Sequence, residues 1–175
     1  VKRPRPPIIL AASGDRMVRR AATIADAWSA AGHGTVDTLI RQTNLYKSAL
    51  AKNKKSFPPR QFRLGKELYV AHTREQAQKE SFPYIKAKYA AYSAWGQDHV
   101  LPQGESFSKS IESLSENRFI IGPPEDCIEA INEHHNAIGF NDFSFRLHYP
   151  GMPHKQVMKA LDLFAERVLP IIRPR

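Results

Sequence analysis

Ile8-Ile9-Leu10-Ala11-Ala12-Ser13-Gly14-Asp15 is the stretch on which the fold turns. Five apolar residues in a row, without polar alternation, describe a strand buried on both faces, as in a parallel sheet. Ser13-Gly14-Asp15 ends it. Gly14 permits a tight turn, and Ser13 or Asp15 is suited to cap the helix that follows. In that helix Met17, Val18, Ala21, Ala22, Ile24 and Ala25 recur at helical spacing, while Arg16, Arg19, Arg20 and Thr23 fall mainly on the other face. A strand end, a glycine turn and a helix amino terminus together present free backbone amides, which stabilise an anion. The alternative at the same residues is a plain strand-to-helix turn with a cap.

Working outward, the strand-helix alternation continues. Asp26 to Ala31 is a second strand, ending at Gly32-His33-Gly34. Thr35 opens a helix with Val36, Leu39, Ile40, Thr43, Tyr46, Ala49 and Leu50 as its apolar stripe. Leu64 to Ala71 is a third strand, and Thr73 with Gln76 fits a capping box at the next helix. Pro83 is expected to kink or interrupt that helix, which then carries Tyr84, Tyr89, Tyr92 and Trp95. These aromatics either pack or line a greasy channel. Residues 97–117 are rich in Gly, Pro, Ser and Gln and too long for an ordinary connection, so they are expected to form a lid or an insertion. Arg118 to Asp126 is a short apolar segment, a turn and a helix start. Cys127, Ile128, Ile131, His135 and Ile138 form the helix stripe, and Gly139 is its carboxyl cap. Asp142 to Leu147 is a fourth strand. The last helix buries Val157, Leu161, Phe164 and Val168 and stops at Pro170. Strands alternating with helices predict an α/β fold with a parallel sheet and right-handed crossovers.

Composition sets limits on function. The chain has 175 residues, 42% of them apolar and 10% aromatic, which is globular composition and excludes a disordered or coiled-coil chain. One domain, or part of a larger barrel, fits this length. Cys127 is the single cysteine, so no internal disulfide and no cysteine-cluster metal site exists. No metal is expected: His134-His135 are adjacent and point to different faces of one helix, and no His-Glu-x-x-His pattern occurs. No apolar run is long enough to span a membrane, no leader pattern stands at the start, and a cytoplasmic location is expected. Twenty-six Lys and Arg against 17 Asp and Glu leave a net charge of +9, which favours anionic partners. Lys2-Arg3-Pro4-Arg5 and Lys52-Asn53-Lys54-Lys55 read as solvated charge. Arg60-Gln61-Phe62-Arg63 is too short a basic-aromatic run for a nucleic-acid surface, so nucleic acid is not expected as a partner.

Four segments, in order, resemble the bacterial luciferase-like, flavin-dependent monooxygenases. They are residues 6–15 with 19–28, residues 68–77, residues 118–126 with Phe145-Arg146-Leu147 and Tyr149-Pro150-Gly151-Met152-Pro153, and the closing residues 164–173. The resemblance implies an eight-stranded α/β barrel of the TIM type using FMN or a related deazaflavin. It also implies that this chain corresponds to the carboxyl-terminal part, about strands five to eight. The family's upstream half, with its usual catalytic histidine, matches no position here. Such a half is expected to be covered by a second copy, by the missing half as another chain or by rearrangement, and to be a fragment or proteolytic remnant of a longer chain.

The resemblance places the flavin phosphate at Ala12, Ser13, Gly14 and Asp15. Ala12-Ser13-Gly14 stands where the family often has a glycine pair followed by serines. Trp28 and His33 follow the second strand, at the barrel face where active sites sit; His33 either donates to a ligand or belongs to a flexible Gly-His-Gly loop. Arg146 and His148, two apart on the last strand, share one side. They either meet an anionic ligand, or Arg146 pairs with a carboxylate such as Asp142. His33 and His148 are the candidate catalytic groups, Trp28 and Arg146 further cofactor contacts. The implied activity is oxidation of a small organic substrate by reduced FMN and dioxygen, with a flavin reductase as partner. A deazaflavin-dependent hydride transferase and a non-catalytic half-barrel that dimerises or binds an anion are the alternatives.

Overall fold

A computed structural model describes residues 5–59, 62–101 and 105–172. The segments Lys2-Arg3-Pro4 and Arg60-Gln61 singled out above lie outside the described residues. The strands are β1 (Ile9–Ala12), β2 (Ala27–Ala30), β3 (Arg63–Val70), β4 (Ile120–Gly122) and β5 (Asp142–Arg146). The helices are α1 (Asp15–Ile24), α2 (Val36–Lys52), α3 (Arg74–Ala94), α4 (Ile111–Ser115), α5 (Pro124–Ile138), α6 (His154–Leu163) and α7 (Leu169–Ile172). Every strand pairing described is parallel. β1, expected to be buried on both faces, is only partly buried, with Ala11 exposed and Ile8 53% exposed. Among the described residues it pairs with β2 alone, and its other edge is uncovered. The fifth strand, β4, is the short apolar segment before Gly122.

β3 is the spine of the sheet. Its first two residues pair with β2, Arg63 to Glu67 pair with Asp142 to Arg146 of β5, and Leu68 to Val70 pair with β4. Side chains alternate along it, so one face packs under the helices and the other lines the inner side of the sheet. Trp28, Tyr46, Phe62 and Leu64 join α1, α2 and α5 in one core. Leu68, Val70, Ile85, Tyr89, Ile131 and Phe164 join α3, α5 and α6 in another. On β5, Phe143 and Phe145 stack toward the helices, while Ser144 and Arg146 are exposed on the inner face.

Several local expectations are corrected. α3 runs unbroken through Pro83; both Pro83 and Lys79, whose carbonyl loses its helical donor, face solvent, and Ala77, Phe82, Ile85 and Tyr89 anchor the helix on either side. Half of the capping box forms: Thr73 accepts from the Gln76 amide at 3.1 Å, but the Gln76 side chain donates to Glu80 instead. In α5 the buried stripe is Cys127, Ile131, His134 and Ile138. His135 is exposed, because eight residues on a helix overshoot by most of a right angle and seven return almost to the starting face. Met17, Ile24 and Leu161 are exposed rather than core. Pro170 does not stop the last helix. A π turn over Phe164–Val168, closed by Leu169 N–H to Phe164 O, releases a helical bond just where proline lacks its donor. Lys55 is not merely solvated: its ammonium donates to the Thr23 and Ala25 carbonyls, both at 3.1 Å, at the negative end of α1.

Candidate functional site

β1 delivers the chain to the amino end of α1. Gly14 is the N-cap, with φ −95° and ψ 142°, so neither Ser13 nor Asp15 caps the helix. Met17 and Val18 turn their amides back to the Gly14 carbonyl at 2.9 and 3.0 Å, and the Asp15 and Arg16 amides stand in the first turn without intrahelical acceptors. The loop is fixed from outside. The Trp28 indole donates to Ala12 O at 2.9 Å and the Gln42 amide to Ser13 O at 2.6 Å. Asp15 is held in a two-pronged ion pair with Arg41, at 2.6 and 2.9 Å, and the Arg41 hydrogen bonds keep its carboxyl below the usual carboxylate range. A side chain built at Gly14 would meet nothing within 4 Å. The position is open beside the first turn of α1.

The register sets Ala12 opposite Ala30, so Ser13-Gly14 and Ala31-Gly32 leave neighbouring strands at the same end of the sheet. A cavity of about 410 Å³ opens there, lined among others by Gly32, His33, Glu67, Lys88, Tyr89, Arg146 and His148. Gly32 has to be glycine: an added Cβ would lie 2.7 Å from the Gly65 carbonyl oxygen. Ala12 to Asp15 do not line this cavity; they sit beside it.

Buried charge surrounds it. Glu67 and Lys88 form an ion pair with side chains only 6% and 9% exposed. The Tyr89 hydroxyl donates to the same carboxylate oxygen at 3.3 Å. Lys66, pointing the other way from β3, donates to Gly34 O at 2.8 Å and Arg118 O at 3.0 Å. Arg118 in turn donates to Leu114 O, His33 O and the Glu105 carboxylate, and Glu105 accepts from the Thr38 hydroxyl at 2.5 Å. This chain of charges fastens the connection after α3 to the loop that carries His33. Phe107, Ile111 and Leu114 of that connection are buried, so residues 97–117, as far as they are described, pack closely on α3.

The expected residues separate into two groups. His33, Arg146 and His148 come together on the cavity wall. Trp28 does not line it: it is wholly buried against Tyr46 and Phe62, and its role is to hold the β1 carbonyl. Asp142 does not pair with Arg146; Arg63, its register partner, takes it at 2.8 Å. Tyr89 and Tyr92 reach the cavity, whereas Trp95 is 71% exposed. Cys127 is core, its thiol pushed up to about 12 by burial. Lys66, Glu67, Lys88, Glu105 and Arg118 were not anticipated. The signal was present in Leu64-Gly65-Lys66-Glu67-Leu68, since adjacent charges inside a strand buried on both faces need partners.

Burial, then the charges of Arg118 and Lys88, hold His33 down to about 4. Burial and then Lys66 hold His134 to about 4 as well. Burial, followed by Arg118, lowers Lys66 to about 7. In all three the unfolded chain binds protons more readily than the folded one, so stability falls as pH falls. For the histidines the window runs from the usual value of 6.5 down to about 4, and the slope reaches up to about 1.4 kcal/mol per pH unit for each. Thermal melts from pH 7 to pH 4 are expected to show this decline, and His134→Gln to flatten it. A midpoint independent of pH would refute the buried neutral histidines.

The profile of the luciferase-like monooxygenase family matches residues 1–141. No curated protein sequence matches the chain. Among solved structures it is similar to a monooxygenase from Streptomyces bottropensis, at 19% identity and TM-score 0.72 over 97% of this chain and 49% of that one. It is also similar to the oxygenating constituent of a diketocamphane monooxygenase from Pseudomonas putida, solved with FMN, at 17% identity and TM-score 0.68 over 97% and 50%. The coenzyme F420-dependent tetrahydromethanopterin reductase of Methanopyrus kandleri gives 15% identity and TM-score 0.65 over 95% and 51%. The chain spans about half the length of these proteins, and its parallel sheet with flanking helices corresponds to half of such a barrel.

Proposed function

The chain belongs to the luciferase-like monooxygenase family, and from that premise we propose that it is the carboxyl-terminal half of a flavin-dependent oxidoreductase barrel that oxidises a small organic substrate with reduced FMN and dioxygen. The observation that carries this proposal is the cradle at the end of β1, with open space at Gly14 beside first-turn amides of α1. Those donors and the helix dipole suit a terminal phosphate. The Asp15 and Arg16 amides and the Ser13 hydroxyl would hold it, with Ala12 as the fixed carbonyl anchor beneath. The neighbouring cavity, in which Arg146, His33 and His148 converge, would take the ring and the substrate.

When bound, the reduced flavin supplies the electron pair that activates dioxygen; the protein supplies position and exclusion of water. Tyr89, Tyr92 and Phe107, packed at tilted and edge-to-face angles, would shut solvent out on the α3 side. His33, neutral near pH 7 because of its burial, is suited to hydrogen bonding. The exposed inner face of β5 would be covered by the remaining strands of a complete barrel or by a second copy, and a separate flavin reductase would deliver the reduced cofactor. Among the described residues no helix is long and apolar enough to cross a membrane.

The similarity to the Methanopyrus kandleri reductase supports a second reading, hydride transfer with a deazaflavin. One fluorescence titration with FMN, riboflavin and a deazaflavin phosphate tests both. FMN is expected to bind about tenfold or more tighter than riboflavin, the scale of a charge-assisted phosphate contact. Preference for the deazaflavin would favour the reductase. Equal affinity for FMN and riboflavin would remove the cradle from the account.

A further inference from the structure

A second cleft, of about 350 Å³, lies on the far side of Tyr89 between α3 and the connection that follows it. Tyr89 borders both cavities, and the proposed flavin chemistry makes no use of the second one. We propose that it binds an amphipathic carboxylate, a fatty or aryl acid, with the head between Lys86 and Lys109 and the body on the apolar floor.

Lys86, Tyr89, Ala90, Ser93 and Ala94 recur at three- and four-residue steps and so form one face of α3. Opposite them stand Phe107, Lys109, Ile111 and Leu114. Ala90 and Ala94 leave room that larger side chains would fill. Phe107, Ile111 and Leu114 are buried and supply a floor, and the lining is mostly apolar. The volume lies within the usual range for small-molecule sites.

The charge at the rim decides what fits. Lys86 belongs to the α3 wall and Lys109 to the wall formed by the connection; both are exposed, and neither makes an ion pair among the described residues. The nearby carboxylate, Asp98, is already engaged. One oxygen accepts from the Phe107 amide at 2.5 Å and the other from the Ser93 hydroxyl at 2.6 Å. Two like charges over an apolar floor repel each other and favour one compact negative head between them. The apolar floor beneath the two ammonium groups calls for an anionic head that carries a long apolar body, as a fatty or aryl acid does and a free phosphate does not.

Titration calorimetry with dodecanoate below its micellar concentration tests the proposal, with dodecanol and a dodecyl ammonium salt as controls. Dodecanoate is expected to bind at least about tenfold tighter than either control. The double variant Lys86→Glu, Lys109→Glu is expected to lose about tenfold or more in dodecanoate affinity while keeping its melting midpoint and its FMN affinity. Ala94→Leu, a substitution at an exposed helix position, should weaken binding by filling the cleft from the α3 wall. Absence of dodecanoate binding, equal binding of the alcohol, or undiminished affinity in the charge-reversed variant would each overturn the site. Because FMN is measured separately, failure here is distinguishable from failure of the flavin assignment.

Discussion

Gly14→Asp is expected to leave the fold intact and to abolish the phosphate-dependent part of flavin binding. Gly14 has ordinary extended backbone angles, φ −95° and ψ 142°, and open space where a side chain would begin, so nothing steric opposes the change. Aspartate is among the best N-cap residues, better than glycine by a few tenths of a kcal/mol, and Arg41 already neutralises the adjacent Asp15. The new carboxylate would accept from the first-turn amides and so occupy the very donors a phosphate needs. It would also set like charge against like, at a cost of several kcal/mol. FMN affinity should therefore fall by about a hundredfold or more, riboflavin affinity should stay level, and the melting midpoint should hold or rise. A parallel loss of both ligands, or of neither, would show that the phosphate lies elsewhere.

Lys88→Met is expected to destabilise the protein by about 3–5 kcal/mol, the range for orphaning a buried charge. Lys88 and Tyr89 share one oxygen of Glu67, and the other oxygen, Oε2, is buried without a partner. Removing the ammonium leaves the carboxylate with a single hydroxyl donor. Glu67→Gln should cost less, about 1–2 kcal/mol, because Lys88 lies over the rings of Tyr89 and Tyr92, 5.1 Å from each centroid, and its stem can turn toward the cavity mouth. The double variant should recover most of the loss, since neither side then buries an unpaired charge. Urea unfolding of all three variants measures this. A Lys88→Met penalty below about 1 kcal/mol would mean that water reaches Glu67.

Parallel strand order was legible because it rests on local rules. The apolar run Ile8 to Ala12 marked β1, and Thr35 and Gly139 sit at the helix ends they signal. The junction of β1 with α1 was also legible, since a strand, a glycine and a helix start are contiguous in the chain. What the sequence hid depends on distance. Arg118 reaches His33 and Glu105 across loops, and no spacing rule links those residues. Lys55 was hidden for the same reason, because the carbonyls it caps belong to a helix about thirty positions earlier. Pro83 and Pro170 misled in the opposite way. Each is a strong local breaker, and each is overruled by packing or by a π turn already in place. Arg146 needed the register, which gives Asp142 to Arg63 and leaves the guanidinium without that carboxylate.

β3 hands its edge from β5 to β4 between Glu67 and Leu68, immediately after two neighbouring opposite charges that face opposite ways. Sliding this strand by a single position would exchange those faces. Slid one way, Glu67 would confront the Gly34 and Arg118 carbonyl oxygens; slid the other way, Lys66 would confront Lys88. Misalignment thus carries an electrostatic penalty at its midpoint as well as the loss of three ladders. The spine of the sheet proofreads its own alignment, and the cavity wall inherits that accuracy.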